Sequence, residues 1–287
     1  MTTSILTTDK SSSNSLTRKY PLTTFFLLLL GLTWPFMIWD ALASHEILPF
    51  RLPLPVMLLQ SYMPTLAAVI VVGLTTGREG IRALFRKLLI VRVEVRWYAF
   101  AIFGVAVICI AAILLTNQFG PAPTLPIISK DAPANYIAVF LNAALLLVIT
   151  GILNGEELAW RGFALPRLQA KYNALTSSLI LAVPWTLFHL PLFFDLNMNM
   201  PSFTSFAIRM VALTILFTWM FNHTRGSVLL AYIFHAAGNT WTRIFSIDPS
   251  YHFQDGVMAG IFATLAVIVL ITSGAENLSR TNVRIQE

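Results

Sequence analysis

The stretch YIAVFLNAALLLVITGILNGEELAWR, residues 136–161, decides the fold of this chain. Its first part is a nearly continuous apolar run, about as long as a helix must be to cross the hydrocarbon core of a bilayer. The run ends on two adjacent carboxylates, Glu156 and Glu157, followed by Arg161. A charged side chain at the centre of a bilayer costs at least about 2.5–3.5 kcal/mol, so such residues are usually paired or functional.

The composition indicates a membrane protein. The chain has 287 residues, of which 56% are hydrophobic and 11% charged, whereas soluble domains carry roughly 25% charged residues. A single cysteine, Cys109, excludes an intramolecular disulfide and a Cys-based zinc site. The net charge of +6 is read as a sign of membrane topology. No nucleic-acid motif accompanies it, so we expect no nucleic-acid partner.

About eight apolar segments are predicted to cross the bilayer as helices, which makes the fold class all-α. They cover residues 22–39, 53–75, 97–116, 136–153, 175–194, 203–221, 227–245 and 257–272. The first has a competing interpretation as a signal peptide, but its apolar run is longer than usual for one. We predict one membrane domain over residues 20–273, between a disordered cytoplasmic tail of residues 1–19 and a polar cytoplasmic tail of residues 274–287.

Residues 77–96 carry six basic side chains among apolar residues at helical spacing. This pattern predicts a basic amphipathic helix on the cytoplasmic membrane surface, with a solvated loop as the alternative. With the amino terminus inside, fifteen Lys and Arg fall on internal segments and four, including Arg209, on the external side. This asymmetry predicts that both termini are cytoplasmic.

The acidic pair divides into two expected roles. Glu157 and Arg161 are four residues apart with the acid first, which is the favourable order for an ion pair on a helix. Glu156 is rotated by about 100° from that pair. We therefore expect Glu157 to be an anchor and Glu156 to be the working acid or base. The alternative is that both acids cap or solvate a helix end.

Two histidines on predicted membrane helices have partners at helical spacing. Trp185 precedes His189 by one turn, and Asn239 follows His235 by one turn. Taken singly, these are packing residues or polar pairs that join helices. Together with Glu156 they would supply a general base and donors for an oxyanion, or a His2Glu set for catalytic zinc. This combination indicates hydrolysis, with a peptide bond as the leading candidate.

The depth of the acids along their helix is a separate expectation. By position in the sequence, Glu156 falls near the cytoplasmic end of its span, while His189 and His235 lie deeper. We therefore expect the helix to continue through Trp160 toward Pro166, and a water-filled cavity to reach the acids from the cytoplasm.

These motifs resemble those of the CPBP family, the CAAX proteases and bacteriocin-processing enzymes, also called the Abi family. The family pattern is E-E-x-x-x-R, then F-x-x-x-H, then H-x-x-x-N. The chain carries it at residues 156–161, 185–189 and 235–239, with Trp185 where phenylalanine is usual. Order, spacing and helix placement match, and the resemblance covers most of residues 22–272.

The resemblance implies an intramembrane endopeptidase, akin to the hydrolases that trim the last three residues from prenylated CAAX proteins. Its partners would be the lipid bilayer and a peptide or protein substrate, prenylated or membrane-embedded. It would lie in the plasma membrane of a prokaryote. It would be a metalloprotease with a divalent metal such as zinc, held by His189, His235 and Glu156, or a metal-free glutamate protease. Asn239 would be a poor zinc ligand.

Roles carry over from the family by position. Glu156 would activate the attacking water, and His189 would help to hold it. His235 and Asn239 would stabilise the oxyanion or help to bind a metal. The residues that would brace the site are Glu157 and Arg161, and those that would wall the substrate pocket are Trp185 and Phe188.

Two other functions compete with proteolysis. One is a non-catalytic membrane protein on the same fold, such as a bacteriocin-immunity factor or a scaffold. The other is a transporter in which buried Glu and His side chains relay protons, although no broken-helix inverted repeat is visible. The sequence also lacks G-x-S-x-G, H-E-x-x-H and a Gly-rich phosphate loop, which weakens other hydrolase and phosphoryl-transfer readings.

Overall fold

A computed structural model of the chain describes residues 16–121, 124–133, 135–280 and 284–286. Most of the predicted tail of residues 1–19 therefore lies outside the described residues. Within them the protein is helical, and its only β pairing is an isolated bridge between Ile128 and Phe245. The predicted all-α membrane fold is confirmed.

The helices follow the apolar runs of the sequence. In chain order they are α1 (Pro21–Ser44), α2 (Leu54–Gln60), α3 (Met63–Arg86), α4 (Val95–Phe119), α5 (Tyr136–Leu153), α6 (Leu165–Gln169), α7 (Ala174–Phe188), α8 (Phe203–His223), α9 (Val228–Ile244) and α10 (His252–Ser273). A π-helix (Leu158–Ala164) precedes α6, and a 3-10 helix (Leu190–Phe194) extends α7. Side-chain oxygens of Asn135, Asn173, Ser202 and Ser227 cap the starts of α5, α7, α8 and α9.

Six helical segments in the described part of the chain are long and apolar enough to cross a membrane. A seventh is formed if α2 and α3, bent by 43° where they meet, count as one span. The remaining predicted span corresponds to α9, which has 17 residues. The count of eight therefore stays a prediction, while the polytopic character is confirmed.

The second predicted span, residues 53–75, is broken into two helices. α2 ends at Gln60, and Pro64 lies in the first turn of α3, where a missing backbone N–H costs little. α3 then runs on into the basic segment, interrupted by Gly77, whose φ of +68° favours glycine. Beyond Gly77 the arginines are exposed and Leu84 is buried, as an amphipathic helix requires.

The packing of α9 brings the predicted site together. This helix contacts α4, α5, α8 and the π-helix. The hydroxyl of Thr150, near the end of α5, donates to the carbonyl of Ala236 at 3.2 Å, and Ala236 lies midway along α9. α5 therefore ends level with the middle of α9. The chain continues beyond that point as the π-helix and α6. The expected unbroken continuation of this helix toward Pro166 is wrong, because helical structure stops at Leu153 and resumes only after residues 154–156.

The end of the chain folds back onto the bundle. α10 ends at Ser273, and the side chain of Asn222 then donates to the carbonyl of Asn277 at 2.7 Å. The backbone N–H of Ala174 donates to the carbonyl of Glu276 at 2.8 Å. The described part of the predicted polar tail is therefore fastened to the ends of α7 and α8.

Candidate active site in the helical bundle

The turn that carries the acidic pair is fixed by its neighbours. The side chain of Asn154 accepts the backbone N–H of Glu156 at 3.0 Å. Gly155 lies against the break between α2 and α3, where a Cβ atom would come within 2.2 Å of the carbonyl oxygen of Ser61. Thr65 donates to the carbonyl of Gly155 at 2.7 Å. Only glycine allows this close approach, so the direction of Glu156 is set by packing.

The π-helix that follows holds buried side chains. π-helices are rare overall, and those that occur often lie at functional sites. Trp160 and Arg161 are both fully buried within it. Lys87, from the basic segment, donates from Nζ to the carbonyl of Gly162 at 2.6 Å. The predicted surface helix is therefore linked directly to the element that carries the site.

The expected ion pair of Glu157 and Arg161 is present, and it has a third member. Nη1 of Arg161 lies 3.0 Å from Oε1 of Glu157, and both side chains are fully buried. The same carboxylate oxygen lies 2.7 Å from Nδ1 of His235. The sequence did not predict this contact. Because Glu157 engages Nδ1, the imidazole is held in one orientation with Nε2 directed away from the carboxylate.

Arg161 is also held between two aromatic rings. Its guanidinium carbon lies 4.1 Å from the ring centroid of Trp185 and 3.7 Å from that of Phe217. A desolvated cation–π contact stabilises by about 2 kcal/mol. The carboxylate and the two rings lower the cost of burying this charge, although Nε and Nη2 of Arg161 are buried without a hydrogen-bond partner among the described residues.

Glu156 is held by two indoles. Its Oε2 accepts hydrogen bonds from Nε1 of Trp160 and Nε1 of Trp185, both at 3.0 Å. Its Oε1 has no hydrogen-bond partner among the described residues. The departure of Trp185 from the usual phenylalanine thus supplies a donor that phenylalanine lacks. The hydrogen bond from Trp160 to Glu156 was not predicted from the sequence.

His189 is oriented by the backbone. It follows the last residue of α7, and its Nδ1 lies 2.8 Å from the carbonyl oxygen of Trp185, to which it donates. The ring centroid of Trp185 is 6.3 Å from that of His189 and 6.2 Å from that of His235. Glu156 interacts electrostatically with both histidines. The predicted acid and both histidines therefore gather around one indole.

A cavity of about 310 Å³ adjoins this cluster. Trp185, His189, His235 and Asn239 line it, among mostly apolar side chains. Asn239 is exposed, and its side-chain amide has no partner in the described part of the chain. Glu156 is not among the cavity's lining residues, and neither is Phe188, whose part in a substrate pocket stays a prediction. Its ring lies against those of Trp160 and His189, at 6.0 and 4.9 Å, so it supports the wall from behind.

The predicted metal set receives no support from the side-chain arrangement. The described residues contain no group of three His, Cys, Asp or Glu side chains placed to hold a metal ion. In addition, Oε2 of Glu156 is already occupied by two indole N–H groups. His189 and His235 nevertheless keep their Nε2 atoms unengaged within the described chain, so the metal requirement stays a prediction.

A charged residue of the cavity wall was not predicted as a site residue. Arg209, which the charge count assigned to the external side, lies on α8 and lines the cavity. Its Nη2 is 3.1 Å from Oδ1 of Asp255. The available signal was a single basic residue within an apolar span, which is a functional hypothesis by default.

Two comparisons with known proteins relate this chain to the CAAX proteases. A family model described as Rce1-like, type II CAAX prenyl endopeptidase, matches residues 133–241, which include all three motifs. The predicted resemblance to the CAAX protease family is confirmed. CAAX prenyl protease 2 of Methanococcus maripaludis is 29% identical over 140 residues, which are 46% of this chain and 50% of that protein. The chain spans about half the length of this curated relative.

The similarity and the apolar helices together indicate an integral membrane protein. The predicted prokaryotic plasma membrane and the cytoplasmic termini stay predictions.

Proposed function

We propose that the chain is an intramembrane endopeptidase that hydrolyses a peptide bond with a water molecule activated by Glu156. The observation that carries the proposal is the meeting of Glu156, His189 and His235 around Trp185, beside a cavity. The similarity to a CAAX prenyl protease supports the same reaction. The substrate we propose is a peptide with a prenylated cysteine near its carboxyl end.

Glu156 is suited to act as the general base. Two indole N–H groups hold Oε2, so Oε1 is the oxygen left to take a proton from water. His189 donates from Nδ1 to a backbone carbonyl, which makes Nε2 the acceptor that can orient this water. The water oxygen attacks the carbonyl carbon as its proton passes to Glu156, and the C–N bond then breaks as Glu156 gives that proton to the leaving amine nitrogen.

We assign stabilisation of the oxyanion to His235 and Asn239. They lie one turn apart on α9, and both line the cavity. The amide of Asn239 can donate, and His235 can donate from Nε2 when it is an imidazolium, in which both nitrogens carry protons. Glu157 accepts from Nδ1 in that form. Removal of one such donor typically costs about 10²–10³ in kcat.

A reporter peptide tests the assignment of Glu156. Purified protein in liposomes would be given a fluorogenic peptide that carries a farnesylated cysteine near its free carboxyl end. We expect Glu156→Gln to abolish cleavage, because an amide cannot take the proton. Glu94→Gln is the matched control, since Glu94 is an exposed acid paired with Arg96 away from the cavity. Equal cleavage by wild type and Glu156→Gln would overturn the assignment of Glu156 as the base, and cleavage by neither would favour a non-catalytic protein.

The two predicted cofactor schemes are separated by chelation. The arrangement of the side chains favours the metal-free scheme, so we expect cleavage to survive removal of metal ions. The measurement is metal content by mass spectrometry together with the rate before and after chelation. A rate that is lost on chelation and restored by zinc would support the metalloprotease scheme, with His189 and His235 as ligands.

A further inference from the structure

The cavity wall carries one strongly basic side chain. Arg209 lies on α8 and is the only lysine or arginine among the residues that line this cavity. Its side chain is 14% exposed. A guanidinium within an apolar span is costly, and the ion pair it makes with Asp255 does not by itself repay that cost, because buried pairs are often no more stable than apolar packing.

Asp255 is held by other groups. Its Oδ2 accepts from the backbone N–H and from the hydroxyl of Ser202, both at 3.2 Å. These bonds tie the first turn of α10 to the start of α8, which is a structural role that needs no arginine. Asp255 therefore does not require Arg209 for its hydrogen bonds to Ser202.

Arg209 has donors to spare. A guanidinium presents five N–H groups, and the pair with Asp255 engages Nη2. The Nε and Nη1 groups have no partner in the described part of the chain. These donors belong to a partly exposed side chain that lines the cavity, so a ligand bound there can reach them. An anion in the cavity would satisfy them.

The position of Arg209 relates it to the candidate catalytic groups. The ring of Phe206 lies 5.4 Å from the ring of His189. Arg209 is three residues further along α8, or about 4.5 Å along the helix axis. An extended peptide residue spans about 3.3–3.6 Å. A peptide whose scissile carbonyl lies near His189 and His235 would therefore bring its carboxyl end within a few residues of the guanidinium.

We propose that Arg209 forms a subsite for the free α-carboxylate of the peptide that occupies the cavity. The proposal rests on the proposed endopeptidase function and adds the feature by which the substrate's end is recognised. A guanidinium binds a carboxylate through two parallel hydrogen bonds. The neighbouring wall is mostly apolar, with Phe206, Met210 and Phe262 among its residues. A carboxylate in this part of the cavity is therefore stabilised by Arg209.

Binding is measured first, without turnover. Full-length Glu156→Gln protein in liposomes is titrated with a dansyl-labelled farnesylated peptide that ends in a free carboxylate, and with the same peptide ending in an amide. Energy transfer from tryptophan to dansyl reports binding. We expect the acid to bind about tenfold to a hundredfold more tightly, the size of a charge-assisted hydrogen-bonded contact. Adding Arg209→Met should lower the affinity for the acid peptide to that for the amide peptide. The affinity for the amide peptide should not change.

Three further variants control this comparison. Arg243→Met removes an exposed arginine at the end of α9, outside the cavity lining, and should change neither affinity. Arg209→Lys keeps the charge without the two-pronged geometry and should retain part of the preference. Should Arg209→Met fail to fold because Asp255 is left unpaired, Arg209→Met combined with Asp255→Asn serves instead.

The results separate this inference from the proposed function. Equal binding of acid and amide, absence of saturable binding of the acid, or a preference that survives Arg209→Met would overturn the subsite. Binding of oleate that depends on Arg209, with no such dependence for the peptide acid, would also overturn the subsite. Arg209 would then bind the carboxylate of a lipid. If wild type cleaves both peptides at equal rates and Glu156→Gln cleaves neither, the proposed endopeptidase function is supported although the subsite is refuted. If the acid peptide binds in an Arg209-dependent way but wild type does not cleave it, only the proposed catalytic function is refuted.

Discussion

The hydrogen bond from Trp185 to Glu156 offers a sharp test of how the base is positioned. Trp185→Phe removes one donor to Oε2 of Glu156 at 3.0 Å and keeps an aromatic ring against Arg161 and Phe217. The family pattern has phenylalanine at this position, so the substitution should preserve the fold. The second donor, Trp160, stays in place.

The expected size of the effect follows from the kind of bond that is lost. A hydrogen bond to a charged group contributes about 1.5–3 kcal/mol, and each 1.4 kcal/mol is about tenfold in rate. Because one donor remains, we expect kcat/KM to fall by about tenfold, toward the lower end of that range. The fall should appear in kcat and leave KM nearly unchanged, since the cavity keeps its shape.

The assay is steady-state cleavage of the farnesylated fluorogenic peptide in liposomes, with thermal unfolding measured in parallel. Trp241→Phe is the matched control, because it removes an indole hydrogen bond to the carbonyl of Ile102, which does not involve Glu156. Trp160→Phe should resemble Trp185→Phe. A Trp185→Phe enzyme with unchanged kcat and unchanged stability would refute the idea that this indole orients Glu156.

Three other substitutions have defined outcomes. Gly155→Ala forces a Cβ against the backbone at Ser61, so both the melting temperature and the cleavage rate should fall; an unchanged pair of values would contradict the packing. Gly238→Leu points into open space in the cavity wall; peptide affinity should drop while the melting temperature holds. Arg161→Met leaves Glu157 buried without its cation and should cost about 3–5 kcal/mol in denaturant unfolding; a loss under 1 kcal/mol would argue against this pairing.

Local spacing carried much of what the sequence could predict. Glu157 and Arg161 are four residues apart, and this separation brings their side chains together on a helical segment. Apolar length likewise predicted the long spans. These features depend on neighbours along the chain, so they need no knowledge of how the helices pack.

The contacts that were not predicted depend on packing between distant segments. The bond between Glu157 and His235 joins residues 78 positions apart, and it forms only because α9 lies against the π-helix. The π-helix itself could not be predicted, because helical spacing does not distinguish it from an α-helix. Arg209 was not predicted as a site residue, because its place in the cavity wall depends on how α8 packs against α7 and α9.

The measurement that tests the central claim most directly is the single-turnover rate of peptide cleavage by wild type and by Glu156→Gln in liposomes, with folding verified for both. General-base catalysis typically contributes about 10²–10⁴ in rate. We predict that Glu156→Gln lowers the rate by at least about 10² and still binds the peptide. A variant that binds and cleaves the peptide at the wild-type rate would contradict it.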